Sequence, residues 1–220
     1  MVRRLLRLAL LAGLVTGCDG GDPARVVTND SEPASARPAK AVPLPDLVRV
    51  RLDTDRGPIL LELDAKRAPI TTANFVRYVD ERRFDGVTFY RAAPTKGAPG
   101  RGFVQGGIRR NFRLMLPPIA HEPTSETGLK HEAGTISMAR AEEGAGAMGD
   151  FFILTASMPS MDASAGKPGY AAFGKVVEGI DVVRSILAAP TLENAGRGAM
   201  RGQLLAQPVR IRSATRLDRP

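Results

Sequence analysis

The fold of this 220-residue chain is indicated most clearly by one stretch, Phe84-Asp85-Gly86-Val87-Thr88-Phe89-Tyr90-Arg91. It contains a short apolar run, 87–91, and four similar runs follow it at 103–107, 134–140, 151–155 and 171–177. Short apolar runs of this length are typical of strands that lie in a core. The middle of the chain is therefore predicted to form a series of short β-strands.

Alternating segments flank these runs. Apolar and charged residues alternate through 48–52, and the alternation returns at 59–63 after a turn at 56–57. Two half-buried strands joined by a turn predict a β-hairpin. A last alternating strand is predicted at 209–212.

Two helices are predicted among the strands. Pro69 opens the first, at a position where its missing N–H does no harm, and apolar residues recur at helical spacing through Arg83. Asp181 is expected to cap the second helix, which Pro190 ends. Many short strands with two well-separated helices predict a mainly β protein, in which helices close the ends of a barrel.

Six runs of the chain follow one another in a diagnostic order: 68–75 (APITTANF), 84–91 (FDGVTFYR), 103–107 (FVQGG), 134–139 (GTISMA), 150–153 (DFFI) and 172–176 (AFGKV). In type and order they resemble the cyclophilins, a family of peptidyl-prolyl cis-trans isomerases. The resemblance implies a closed eight-stranded antiparallel barrel capped by helices, over residues 47–216. It also implies that the protein accelerates rotation about X-Pro bonds without a cofactor or metal.

The chemistry of that reaction suits the residues in these runs. An X-Pro bond has to cross a barrier of about 18–20 kcal/mol, which amide resonance sets. A catalyst needs no covalent step, but it has to bind the twisted amide better than either planar form. A guanidinium that keeps its proton can donate to the proline nitrogen while an apolar pocket holds the ring. By resemblance, Arg91 is the expected donor, and Gln105 and Phe152 complete the catalytic set, with Gln105 bonded to the substrate backbone.

The resemblance also assigns substrate-binding residues around this centre: Phe103, Val104, Met138, Ala139, Met161 and Tyr170. Ala139 leaves room for the residue before proline, and Met161 is an expected wall of the pocket. The run Phe103-Val104-Gln105 is one residue shorter than in the human-type enzymes. Either Phe103 or Val104 could therefore fill the pocket.

Three further departures concern the groove. Ser160 stands where many members have Trp, Tyr170 where many have His, and Arg140 where many have Asn. They leave a second function open, that of a non-catalytic, membrane-tethered chaperone or scaffold that binds proline-containing segments in the same groove.

The N-terminus has the pattern of a secretory signal of the lipoprotein type. A basic start and a short apolar run over 1–17 lead to Val15-Thr16-Gly17-Cys18, which resembles a lipobox and contains the single cysteine of the chain. Residues 18–46 are rich in Pro and Ala and are predicted to be a disordered linker. We therefore expect a lipid-anchored protein of the cell envelope, on the periplasmic side. Asp19 weakly favours the inner membrane.

Composition limits the other partners. The formal net charge is +8, but the basic residues are spread along the chain, with no dense patch interleaved with aromatic residues that would favour nucleic acid. His121 and His131 have no Cys or His at metal-ligand spacing, so we expect no metal site. The expected partners are proline-containing unfolded or folding polypeptides, and we expect a monomer.

Overall fold

The alternation at the start of the domain folds as the predicted hairpin. In the computed structural model, which describes residues 44–109, 111–140 and 147–217, strand β1 (Leu47–Thr54) pairs antiparallel with β2 (Gly57–Asp64). Val48, Val50 and Leu52 are fully buried, whereas the arginines between them are exposed. The turn is closed by the Thr54 hydroxyl, which donates to the Gly57 carbonyl over 2.6 Å. Period-two patterning alone thus separates the barrel interior from solvent.

Eight strands close into one antiparallel barrel in the order β1-β2-β7-β5-β6-β4-β3-β8. The other six are β3 (Thr88–Pro94), β4 (Gly102–Gly107), β5 (Thr135–Met138), β6 (Asp150–Leu154), β7 (Ala171–Glu178) and β8 (Leu204–Arg216). Closure joins the two ends of the domain, because Leu52 of β1 lies opposite Ala214 of β8. The prediction of a mainly β, closed eight-stranded barrel is confirmed.

Phenylalanine side chains form a cluster in the core. Phe75, Phe84 and Phe151 are fully buried, and each ring lies within 5.5 Å of the other two, centroid to centroid. Phe89 and Phe173 extend this cluster at 5.7 and 5.3 Å. The chain has no tryptophan, and the buried ring of Tyr78 stacks on Phe84 and adds to this cluster.

The helices lie where the sequence predicts them, but their ends differ. Helix α1 spans Pro69–Asp80, and its first N–H groups, those of Ile70 and Thr71, donate to the carboxylate of buried Glu122 at 3.0 and 2.7 Å. A distant carboxylate thus does the work of a local N-cap. A further one-turn helix, α2 (Thr124–Thr127), was not predicted.

The predicted cap of the last helix is wrong. Helix α3 spans Ile180–Leu187, and its N-cap is Gly179, with φ +86°. A side chain at Gly179 would meet the Pro58 carbonyl at 2.3 Å, so only glycine fits that turn. Asp181 lies in the first turn instead, where its charge favours the helix dipole.

Two sequence-based predictions concern residues outside those that the structure describes: the signal peptide of 1–17 and nearly all of the 18–46 linker. Within the described ranges, no helix is long and apolar enough to cross a membrane.

Candidate active site

Strand register places the three predicted catalytic residues in one row. Arg91 of β3 lies opposite Gln105 of β4, and Gln105 lies opposite Phe152 of β6. The row continues to Ser137 of β5, which faces Phe152 from the other side. Residues far apart in sequence therefore meet on the outer face of four neighbouring strands.

A bulge in β3 supplies two polar side chains to this face instead of one. The register shifts between Phe89 and Arg91, which leaves Tyr90 as the extra residue. Phe89 and Ala92 belong to the barrel core, while Tyr90 and Arg91 both bond the side chain of Gln105. β-Bulges re-aim side chains in this way and are common next to active sites.

The Arg91 guanidinium is held by four hydrogen bonds. Its Nε and Nη2 donate to Gln203 Oε1 at 2.8 and 2.7 Å, Nη2 donates to the Ala199 carbonyl at 3.1 Å, and Nη1 donates to Gln105 Oε1 at 2.8 Å. A guanidinium has five N–H groups, so one N–H of Nη1 stays available to a ligand. Partial burial lowers the pKa of Arg91, and the hydroxyls of Tyr90 and Tyr170 oppose the shift. An arginine keeps its proton even so.

A hydrogen-bonded chain sets the orientation of the Gln105 amide. Its Oε1 accepts from Arg91, and its Nε2 donates to the Tyr90 hydroxyl over 2.8 Å. Tyr90 is also hydrogen-bonded to Asp150, and burial, with the Asp150 charge, raises the pKa of Tyr90 well above its usual value. The phenol therefore stays protonated. The amide keeps one N–H and one lone pair for a substrate backbone.

Aromatic rings form an apolar wall beside the donor. The Phe103 ring lies 5.3 Å from that of Phe152, which meets the Tyr170 ring edge-on at 5.3 Å. Arg91 lies over Phe103 with its Cζ 5.0 Å from the ring centroid. Met161 is half-buried and accepts a hydrogen bond from the Tyr170 backbone over 3.0 Å. An apolar surface next to a fixed cation is what a proline pocket requires.

Two predicted substrate-binding residues do not face this groove. Val104 and Met138 are 0% and 2% exposed and belong to the barrel core. The pleat of β4 explains the first case, because Phe103 and Gln105 point outward and Val104 must point inward. Of the two residues that could fill the pocket, Phe103 and Val104, it is Phe103 that faces the groove. Ala139, just beyond the end of β5, is half-buried.

Residues that the sequence analysis missed hold the site together. Gln203 lies 112 residues after Arg91 in a loop without a motif, so no pattern points to it. In the sequence His131 is an isolated histidine, with no neighbouring residue that indicates its partners. It stacks on Phe152 at 6.1 Å, its Nδ1 lies 2.7 Å from Asp162 Oδ1, and its Nε2 lies 3.1 Å from Ser137 Oγ.

The hydrogen-bonded sequence Asp162–His131–Ser137 has the residue types of a hydrolase catalytic triad. Ser137 is 0% exposed and His131 is 1% exposed, so no substrate carbonyl can reach the hydroxyl. The network instead fixes the imidazole that stacks on Phe152. It does so by bonding His131 to Ser137 of β5 and to Asp162, which directly follows the 3₁₀ turn Pro159–Met161. Among the described residues, no group of three His, Cys, Asp or Glu side chains could hold a metal ion.

Comparisons with known proteins agree with this geometry. Residues 49–216 match the family described as cyclophilin type peptidyl-prolyl cis-trans isomerase/CLD. The chain belongs to the cyclophilin-type peptidyl-prolyl cis-trans isomerases. It is 38% identical over 147 residues to peptidyl-prolyl cis-trans isomerase A of Dickeya dadantii, with 67% of this chain and 74% of that one covered.

Other relatives of this cyclophilin cover more of the domain. A peptidyl-prolyl cis-trans isomerase of Acinetobacter baylyi is 35% identical over 162 residues, with 74% of this chain and 81% of that one covered. A solved cyclophilin-type isomerase from Cryptosporidium parvum superposes with a TM-score of 0.59 at 19% identity, covering 79% of this chain and 99% of that one, and therefore supports the fold. Another structure of that protein was determined in the presence of the dipeptide Ala-Pro.

The cyclophilin is thus an isomerase of X-Pro bonds, as predicted. A concavity of about 530 Å³ lies elsewhere on the domain, and charged residues of both signs line it, among them Glu62, Lys130 and Lys175. None of the predicted site residues borders it.

Proposed function

We propose that Arg91 is the electrophilic donor of this isomerase, and that its remaining Nη1–H is the group that approaches the proline nitrogen. The observation that supports the proposal is the placement of the guanidinium: four hydrogen bonds hold it, and its Cζ lies 5.0 Å from the centroid of the Phe103 ring. A donor fixed before the substrate arrives costs no reorganisation in the transition state.

The proposed mechanism has no covalent step. The proline ring rests against Phe103, Phe152 and Met161 while the preceding carbonyl rotates. As the amide twists, the nitrogen lone pair leaves conjugation and becomes an acceptor for the Nη1–H. That hydrogen bond exists only in the twisted state, so it lowers the barrier rather than tightening ground-state binding.

The test is isomerisation of an X-Pro peptide by Arg91→Ala. We expect kcat/KM to fall by about 10²–10³-fold, the usual effect of removing one transition-state donor. Peptide affinity should change far less than kcat. Arg91→Lys, which keeps the charge and loses the fork, should be nearly as impaired.

Arg212→Ala is a suitable control, because Arg212 is an exposed arginine on β8 that pairs with Asp55. Retention of activity within threefold by Arg91→Ala would exclude Arg91 as the donor. The isomerase would then act through the apolar groove alone.

We also propose that the clients are proline-containing exported polypeptides and that the domain, as a monomer, is tethered on the periplasmic side through lipidated Cys18. The support is the sequence: a basic, apolar leader ends at the single cysteine, and a Pro- and Ala-rich segment follows it. A chain with two or three acyl groups is held stably at a membrane, whereas a single acyl chain is not enough.

Expression of the full chain in a bacterium tests the tether. Mass spectrometry should find an N-terminal diacylglyceryl cysteine at position 18, and the protein should sediment with membranes. Cys18→Ser should abolish this modification, because the thioether needs a thiol at that position. An unmodified Cys18 in the mature protein would contradict the proposal.

A further inference from the structure

Arg140 brings a positive charge to the wall of the groove. Its Cζ lies 5.3 Å from the centroid of the Tyr170 ring, which in turn packs edge-on against Phe152. The side chain is half-buried and makes no hydrogen bond or ion pair with any described residue. A cation held over an aromatic face keeps its outer N–H groups free for an anion.

Two loops bring further cations to other sides of the row formed by Arg91, Gln105 and Phe152. The loop 95–101 joins β3 to β4 directly before Phe103, and its end is fastened by the Thr155 hydroxyl, which donates to the carbonyls of Gly100 and Gly102. The other loop provides Ala199, whose carbonyl accepts from Arg91. With Arg140, the exposed cations of these loops form what we term the cationic rim: Lys96, Arg101, Arg140, Arg197 and Arg201.

Within the described residues the rim cations have no carboxylate partner, a property that they share with a minority of the other cations, such as Arg113 and Lys167. Elsewhere most arginines face a carboxylate, as Arg51 faces Asp53 and Arg184 faces Asp181, each at 2.8 Å. No member of the rim forms an ion pair within the described parts of the chain. Unpaired cations around a concave site focus a positive potential on whatever binds there.

Nearby carboxylates do not cancel this charge. Asp150 and Asp162 bond Tyr90 and His131, and both carboxylates keep their negative charge in these bonds. Glu193 is exposed close to the second loop, and Glu142 and Glu143, which lie outside the described residues, follow Arg140 in sequence. Arg91 and Arg109, whose Cζ lies 5.3 Å from the Tyr90 ring centroid, also lie beside the groove. These two and the five rim cations outnumber the five carboxylates, which leaves a positive excess.

We infer that the cationic rim makes this isomerase selective for X-Pro segments that carry carboxylates next to the proline. The inference rests on the isomerase function and adds a substrate class to it. Arg140 has the leading role because its guanidinium is fixed on the groove wall, one residue after Ala139. The loop cations add attraction that depends on salt.

The experiment compares three capped tetrapeptides that differ only before proline: Ala-Glu-Pro-Phe, Ala-Gln-Pro-Phe and Ala-Lys-Pro-Phe. For the full-length chain, kcat/KM should be greatest for the Glu peptide and least for the Lys peptide. Each cation that meets the carboxylate should contribute about two- to fivefold, the range of exposed ion pairs. Raising the salt concentration to 0.5 M should bring the three values together.

Variants assign the effect to the rim. Arg140→Gln should reduce the Glu-to-Gln ratio by at least about twofold, the lower end for one exposed pair. The double variant Arg197→Gln/Arg201→Gln changes only exposed loop residues and should reduce the ratio without affecting folding. Arg212→Gln removes one charge outside the rim and should leave the ratio unchanged.

The outcomes separate the two ideas. A wild-type ratio of one, or a ratio that none of the rim variants alters, overturns the rim proposal while the isomerase stands. If no peptide is turned over, NMR titration of the same peptides still measures the charge preference without catalysis. Salt-sensitive binding of the Cys18→Ser chain to vesicles of anionic lipid, lost in the rim variants and without peptide selectivity, would assign the rim to the membrane surface instead.

Discussion

Phe151 and Phe152 are neighbours on β6, yet they belong to different parts of the molecule. Phe151 points into the barrel, where it contacts Phe75, Phe84 and Phe89. Phe152 points outward and contacts Phe103, Tyr170 and His131. One step along a pleated strand therefore separates the residues that hold the barrel together from those that face a substrate.

The largest expected effect is a loss of stability when Phe151, the inward-pointing residue of the two, is truncated. Phe151→Ala should lower the free energy of unfolding by about 3–5 kcal/mol, because it opens a cavity among rings that cannot close over it. Phe152 is 3% exposed but lies outside the core cluster of the barrel, so Phe152→Ala should cost less stability than Phe151→Ala. It should reduce kcat/KM at least tenfold. Urea denaturation and peptide isomerisation of both variants check the contrast. Equal losses of stability would mean that the groove face is part of the core.

The next largest effect concerns Gln203, which we expect to affect catalysis and not stability. Gln203→Ala removes the acceptor that holds two N–H groups of Arg91, and hydrogen bonds to charged groups contribute about 1.5–3 kcal/mol, so kcat should fall about tenfold. KM and the melting temperature should hardly change, because Gln203 acts through Arg91. Gln203→Glu keeps the acceptor oxygen and should restore most of the activity.

Gln207 is the matched control, an exposed glutamine on the same strand as Leu204. If Gln207→Ala and Gln203→Ala have the same kcat, Gln203 does not position the donor.

The smallest effect concerns pH. Burial lowers the pKa of His131 below its usual value, and the bond to Asp162 opposes this only in part. The unfolded chain therefore binds more protons than the folded one below about pH 6.5, so stability is fully present above that pH and declines as pH falls. His131→Asn should flatten the dependence of unfolding free energy on pH between 5 and 7. An unchanged slope would show that another group carries it.

Much of the barrel was predictable because burial imposes a period of two on the strands. The hairpin of β1 and β2 follows from alternation alone, and β6 follows from its short apolar run. The groove was predictable only through the resemblance, since Arg91, Gln105 and Phe152 are brought together by register between strands. Within the run 103–105, the pleat that directs Val104 inward settled what spacing could not.

Other features left no local signal. Gln203 and Glu122 act on groups 112 and 51–52 residues away, and nothing in their own neighbourhoods marks them. No sequence pattern predicts the bulge at Tyr90 either, because an extra residue in a strand can be recognised only when the pairing with the neighbouring strands is known. His131 was visible in the sequence, but its partners Asp162 and Ser137 come from separate segments.

The pairing of β1 with β8 has a consequence for the order in which the protein can form. Strand β8, the last of the domain, pairs with both β1 and β3. Before β8 forms, β1 and β3 each present an open edge. A chain that emerges from its N-terminus cannot close the barrel before the last strand has emerged. Truncation within 204–216 should therefore yield an aggregation-prone chain rather than a weakened enzyme.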